Sequence, residues 1–330
     1  MPDNDSNLLG LAYRDEASRL PWRLPIWDAH VHLRDVHAAR VFFEAADVFG
    51  IERVWSMTNL EQIDDIRTEY GDRVSFIAVP NYHEESEPDI FTTDWLRRIE
   101  RFAAKGIRIC KFWAAPRGVD LHPELRLGSP VQRQAMKLAA SCGMMFMVHV
   151  ADPDTWFATH YADRQRYGTK AEQYLPWRRL LEEYPDTPWL AAHMAGDPEH
   201  LDHVQELLDT YPNLYVDAAA VKWMVRELSR HPEELCRFCR RNPGRILFGT
   251  DIVASVESAD FDLIASRYWS LRTLLETDYD GPSPIADADL TTDGEQAIDT
   301  MATLRGARLD SSTLAMIYRK AAEKLLTDGQ

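Results

Sequence analysis

His30 and His32 stand two residues apart in PIWDAHVHL, at the end of an apolar run. Side chains alternate faces along a strand, so the two imidazoles share a face one pleat apart, a spacing that suits two ligands of one ion. Alone the pair is a weak signal, because a histidine at the end of a buried strand is often a hydrogen-bonded core residue. Three further apolar runs strengthen it: MMFMVHV carries His149, PWLAAHM carries His193 and RILFGTD ends in Asp251. Four separate strands thus deliver four imidazoles and a carboxylate to one level. Left without a partner they would form a costly group of half-desolvated polar side chains. A divalent cation satisfies them together, and neutral imidazole with carboxylate is a donor set that zinc, manganese or iron accepts.

The elements that must position these residues follow from hydrophobic periodicity. Eight short apolar runs, at 25–33, 51–57, 74–80, 107–113, 144–150, 188–194, 213–219 and 245–251, alternate with longer amphipathic stretches. That alternation is the pattern of βα units on a parallel sheet. Helices are predicted in VHAARVFFEAADVFG, TTDWLRRIERFAAKG, SPVQRQAMKLAASCG and DPEHLDHVQELLDTYP, several of which close on Gly or Pro. Eight such strands close into an α/β fold of the (β/α)8 TIM-type barrel, and the first turn, DAHVHLRD, lacks the glycines that open a doubly wound dinucleotide fold. The expected organisation is a single domain over 1–330, with a barrel core at 25–251 and a C-terminal helical segment at 252–330. Within that segment DYDGPSPIADADLTTDGE, 278–295, reads as a linker-like surface excursion.

Barrel enzymes place their sites at strand C-termini, which draws attention to two long loops. The loop after the fourth strand carries Trp113, Arg117 and His122; the segment after the fifth carries Trp156, Phe157, His160, Tyr161, Tyr167 and Tyr174. They are the expected walls or lid of a pocket.

Composition excludes several functions. With 330 residues and 45% apolar content the chain can fill a large core. A net charge of -16 repels phosphate backbones and anionic lipid, so neither nucleic acid nor membrane is an expected partner. An anionic ligand must therefore be met by placed cations, for which Lys111, Arg117, Lys222 and Arg226 are candidates. Four cysteines are too few for a disulfide scaffold, and Cys236 and Cys239 lie in the helical run PEELCRFCRR. Residues 1–19 hold no apolar run of signal-peptide length and no stretch suits a transmembrane helix, so a cytoplasmic protein is expected.

The motif order, HxH on the first strand, His on the fifth, His on the sixth and Asp on the eighth, resembles the amidohydrolase superfamily, in particular its amidohydrolase-related (amidohydrolase 2) branch. The resemblance spans 25–327. HVADPDTWF, WLAAHMAG, YPNLYVDAAAVKWMVRELS and RILFGTDI are similar to one subgroup, and SSTLAMIYRKAAEKLL is similar to the branch's closing helix. What the resemblance implies is a hydrolase, or in some members a decarboxylase that uses no organic cofactor, with one or two metals. It implies one divalent metal per chain at His30, His32, His149 and Asp251, zinc first, with manganese or iron as alternatives. The ion would lower the pKa of a bound water toward neutrality. Asp251 would orient and deprotonate the nucleophile and pass the proton to the leaving group. His193 would polarise the carbonyl or bind the water from the far side, or would ligate a second metal. A lysine placed as Lys111 is carboxylated in binuclear members; here an ammonium pairing with a substrate carboxylate is preferred.

The expected substrate-binding residues are Lys111, Trp113, Arg117, Trp156, Asp217 and Lys222. Asp28, deeper on the first strand, is expected to fix a histidine tautomer. His37, His200, His203 and His231 are assigned to helix surfaces. The leading expectation is hydrolysis of an amide, ester or lactone bond in a small, anionic, carboxylated molecule. Non-oxidative decarboxylation is the alternative, and a non-catalytic metal-binding barrel comes third. The aromatic segment after the fifth strand is compatible with a homodimer.

Overall fold

The computed structural model describes residues 5–82, 89–291 and 300–328, so that 292–295 of the linker-like segment lie outside the described residues. The chain divides into two compact units, one of Met1–Val54 with Ala218–Ala322 and one of Trp55–Asp217 with Glu323–Gln330. Strands β1 (Ile26–Leu33), β2 (Ile51–Met57), β3 (Val74–Ile77), β4 (Ile109–Trp113), β5 (Met145–His149), β6 (Trp189–Ala191), β7 (Leu214–Asp217) and β8 (Ile246–Leu247) lie in the eight apolar runs. The expected helices form at Val36–Val48, Thr93–Ala104, Pro130–Ser141 and Leu201–Thr210, giving an α/β fold.

In the second unit β4, β5, β6 and β7 pair in that order, all parallel, with Trp113 opposite His149 and Ala191 opposite Val216. These strands are buried almost throughout, as expected of a parallel sheet covered on both faces. Edge-on contacts of Phe146 on β5 with Phe112 on β4 and Trp189 on β6 join the three neighbouring strands through their side chains. Local chemistry starts the helices: the Ser129 hydroxyl accepts from Gln132 N with Pro130 following it, and Thr169 and Glu172 close a reciprocal capping box at the start of Lys170–Glu183.

In the first unit β1 runs parallel to β9 (Ile252–Ala254), with His32 opposite Val253. The helix Phe261–Glu276, capped by Asp260, is buried over most of its length.

The structure corrects four expectations. Strand β6 ends at Ala191, so His193 lies beyond the strand, and β8 ends at Leu247, four residues short of Asp251. The segment after β5 is mostly helical, at Asp154–Thr159, Arg164–Tyr167 and Lys170–Glu183. The C-terminal segment is not helical alone, because 280–286 of the linker-like stretch form β10 (Asp280–Ala286), antiparallel to β11 (Met301–Arg305). Among the described residues no helix is long and apolar enough to cross a membrane.

Candidate functional site

In the first unit β1 and the turn before β9 bring His30, His32 and Asp251 together. The Asp251 Oδ1 lies 3.2 Å from His30 Nε2 and 3.0 Å from His32 Nε2, and the three ligand atoms all fall within 4.8 Å of one another. Two imidazoles and one carboxylate at that spacing fit a divalent cation. Asp251 has φ of 61°, in the left-handed region, and its backbone N–H donates to His30 O at 2.7 Å. The pairing of its backbone with β1, not an extension of β8, sets where its carboxylate points.

Asp28 acts differently from the expectation. Its Oδ1 accepts from the backbone N–H of His30 and of Thr250, and its Oδ2 accepts from the Thr250 and Tyr268 hydroxyls. It ties the β1 backbone to the segment leading to Asp251 and does not orient an imidazole in these bonds. Burial pushes its carboxyl up to about 7 against those hydrogen bonds.

In the second unit His149 ends β5, and its Nε2 lies 2.7 Å from Asp152 Oδ1. The other oxygen of Asp152 accepts from the Tyr161 hydroxyl. Burial, and then the charge of Asp152, push the Tyr161 phenol above the ordinary tyrosine range, so it stays a donor. The His149 ring stands edge-on to His193, with centroids 4.5 Å apart.

His193 begins a run of left-handed residues, with φ of 60° at His193, 51° at Met194, 59° at Ala195 and 74° at Gly196. Each such non-glycine residue costs about 1–3 kcal/mol, and strain of this kind concentrates where function requires a set geometry. The surroundings hold it: Asp217 Oδ1 accepts the His193 N–H at 2.7 Å, and the Tyr174 hydroxyl donates to Ala195 O at 2.9 Å. Asp217 therefore braces the His193 backbone in this structure. A Cβ on Gly196 would lie 2.0 Å from Ala151 O, a backbone atom. Gly196→Ala should accordingly cost about 3 kcal/mol or more. Thermal unfolding checks this, and an unchanged melting temperature would mean the turn can relax.

Beyond that turn lies a charge cluster that the sequence did not reveal. The Lys170 ammonium, 15% exposed, sits 2.6 Å from Asp197, 2.8 Å from Asp154 and 3.4 Å from Glu199. His200 and His203 both reach Asp197, so neither is an idle surface histidine. Burial disfavours ionisation of Asp197, but the bond from His203 and the charge of Lys170 outweigh it and hold the carboxyl down to about 2. His200 is raised, first by its bond to Asp197. Asp154, Asp197 and His200 also have the spacing of metal ligands. The ammonium of Lys170 already supplies the cation there.

Two expectations follow from the cluster. Lys170→Met removes the ammonium that Asp154, Asp197 and Glu199 share, leaving the buried Asp197 to His200 and His203, and should cost about 3 kcal/mol. The depressed Asp197 carboxyl adds stability above its unfolded pKa of 3.8, and this is lost as pH falls toward about 2. The raised His200 adds stability below its unfolded value, and this fades as pH rises through its folded one. The difference in melting temperature between wild type and Asp197→Asn should therefore be widest between about pH 4 and 6.5. A difference that stayed flat from acid to neutral pH would remove the cluster's electrostatic role.

The amidohydrolase family model matches residues 23–327. The chain belongs to the amidohydrolase family. No curated protein matches it. Solved structures show the same fold at low identity. A 2,6-dihydroxybenzoate decarboxylase from Rhizobium is 13% identical, with a TM-score of 0.50 over 99% of this chain and 95% of that one. A 5-carboxyvanillate decarboxylase from Novosphingobium aromaticivorans, complexed with manganese and 4-hydroxy-3-methoxy-5-nitrobenzoic acid, is 12% identical, with a TM-score of 0.50 over 92% of this chain and 96% of that one. Family membership agrees with the TIM-type barrel class expected from the eight βα units.

The remaining expected residues of this amidohydrolase-family chain have varied surroundings. Lys111 is buried within β4, in register with Met147. Trp113 packs edge-on against Tyr82, beside Phe91 and Leu125, forming an aromatic wall at the end of β4. The Arg117 guanidinium lies 5.9 Å from the centroid of the Trp156 ring, a cation–π contact. Lys222 is lowered by burial first, and the charges around it are those of Arg267, Asp287, Asp5 and Asp289. Arg226, also read as a contact for an anion, is buried and committed to Glu227, Asp287 and Asp289. Asp152 and Lys170 do not figure among the expected residues, although Asp152 stands in the quoted HVADPDTWF, and Tyr161 is expected only in the wall or lid of a pocket.

Proposed function

We propose that the protein is a metal-dependent, non-oxidative decarboxylase of a small carboxylated substrate, with hydrolysis, the leading expectation from the sequence, as the second reading. The observation that carries the metal is the donor set of His30, His32 and Asp251 on an amidohydrolase-family chain. The choice of reaction is supported by the solved neighbours, decarboxylases of aromatic acids, among them a 5-carboxyvanillate decarboxylase complexed with manganese and a 2,6-dihydroxybenzoate decarboxylase complexed with 2,6-dihydroxybenzoate.

A bound divalent ion would supply Lewis acidity to an oxygen of the substrate. His149 is assigned to the same ion on motif order alone. The chain's own residues do the rest. Loss of a carboxylate breaks a carbon–carbon bond, and the carbon that held it must receive a proton as CO2 departs. Asp251, whose carboxylate lies among the histidines, is the group assigned to hold that proton and deliver it. His193 is assigned to polarise a substrate oxygen, and Lys111 and Arg117 to meet negative charge. The Tyr82, Phe91 and Trp113 cluster suits the face of an aromatic acid.

The test uses protein stripped by a chelator and reloaded with manganese or zinc. Loaded protein should release CO2 from at least one hydroxybenzoate in a panel that also contains N-acyl amino acids and lactones. Cleavage of the amides or lactones with no CO2 from any acid would overturn the proposal in favour of hydrolysis.

A further inference from the structure

The segment after β5 is expected as a lid, yet its best-buried polar side chain points inward, at the end of the strand. Asp152 is 1% exposed and Tyr161 is 2% exposed. Between them they complete a chain of three groups: His149 Nε2 meets one oxygen of Asp152, and the Tyr161 hydroxyl meets the other. With a partner on each oxygen, the carboxylate is held against rotation about its last bond. Tyr161 is itself well mounted. Its N–H donates to Trp156 O at 2.9 Å, and its ring packs on Trp156, Phe157 and Tyr167. The aromatic residues that looked like the wall of a pocket thus build a platform for one phenol.

We infer that Asp152 and Tyr161 are positioning residues that fix His149 as the Nε2–H tautomer, leaving Nδ1 to carry its lone pair. An ionised carboxylate only accepts hydrogen bonds, so the imidazole nitrogen it meets must bear the hydrogen. A neutral imidazole has one such hydrogen, and the lone pair then belongs to the other nitrogen. The ring is also limited in how far it can turn, because the His193 ring stands edge-on to it with centroids 4.5 Å apart. A metal-ligating histidine is commonly set by a carboxylate on its far nitrogen in this way. The metal part of this inference rests on the proposed function; the tautomer does not. Under that reading the atom of His149 that faces a divalent ion is Nδ1, and Tyr161 acts on it through two hydrogen bonds.

Long-range nitrogen–proton NMR on metal-free protein reads the tautomer directly. Wild type should show His149 with a protonated Nε2 and a bare Nδ1. Tyr161→Phe keeps the ring and its packing but loses the donor, so it should retain the fold while the Asp152 carboxylate, no longer held, rotates away from Nε2 part of the time and the His149 signals move toward a mixture of tautomers. Titration with manganese should then show affinity about tenfold weaker, or more. Asp152→Asn, in which the amide can rotate to donate from its nitrogen, should move the hydrogen to Nδ1 and provides the same readout should Tyr161→Phe fail to fold. A bare Nε2 in wild type would overturn the inference, as would a Tyr161→Phe protein with unchanged tautomer and manganese affinity. Failure of wild type to bind any metal would count against the proposed function and leave the tautomer result to decide this inference separately.

Discussion

Asp251→Asn should lower turnover roughly a hundredfold or more while the protein stays folded and keeps at least part of its metal. The expectation rests on what the substitution leaves alone. Asp251 has φ of 61°, a conformation that asparagine adopts about as readily as aspartate, so the turn between β8 and β9 should survive. An amide oxygen can still face His30 and His32, whose Nε2 atoms lie 3.2 and 3.0 Å from the native Oδ1. What disappears is a carboxylate able to hold and release a proton. Turnover per folded molecule, measured beside the melting temperature, separates the two effects. A rate close to wild type with a lowered melting temperature would make Asp251 a structural residue only.

Replacing His30 and His32 together by alanine should reduce bound metal from about one ion per chain to background, since two of the three donors that converge in the first unit are removed. The histidines share one face of β1 and differ in exposure, His30 being 1% exposed and the side chain of His32 26%. His30→Ala therefore opens a small cavity in a packed strand, while His32→Ala mainly removes a ligand. Circular dichroism shows whether the double variant folds, and elemental analysis then counts its metal. If the double variant fails to fold, His32→Ala alone should still show a marked loss. Metal at the wild-type level in a folded double variant would place the site elsewhere.

Much of this architecture is legible in the sequence because parallel strands buried on both faces read as continuous apolar runs; the runs 51–57 and 107–113 contain β2 and β4 with little excess. The pairing of His30 with His32 was legible for the same reason. Strand parity failed at His193 and Asp251, where the chain has left the strand and entered left-handed turns. Aspartate and histidine tolerate that conformation better than most residues, but residue type does not select it; bonds to distant residues do, Asp217 for His193 and the His30 carbonyl for Asp251. The hairpin of β10 and β11 was missed because DGPSPIA carries two prolines and a glycine, residues that read as a loop and that a two-stranded ribbon tolerates at its edges. The partners of Lys170 and Tyr161 were opaque for another reason: Lys170 opens a helix and Tyr161 sits in the turn after Asp154–Thr159, and neither local pattern reveals Asp197 or Asp152, which tertiary packing brings to them.

The most direct measurement of the central claim is the fate of the substrate carbon in deuterated water. Metal-loaded wild-type protein, given a hydroxybenzoate that it accepts, should release one CO2 per molecule and place one deuterium on the carbon that carried the carboxylate, with both events lost in the metal-stripped protein. No CO2 from any hydroxybenzoate tried, with the oxygen of water appearing instead at the cleaved bond of an amide, ester or lactone given in parallel, would contradict the account.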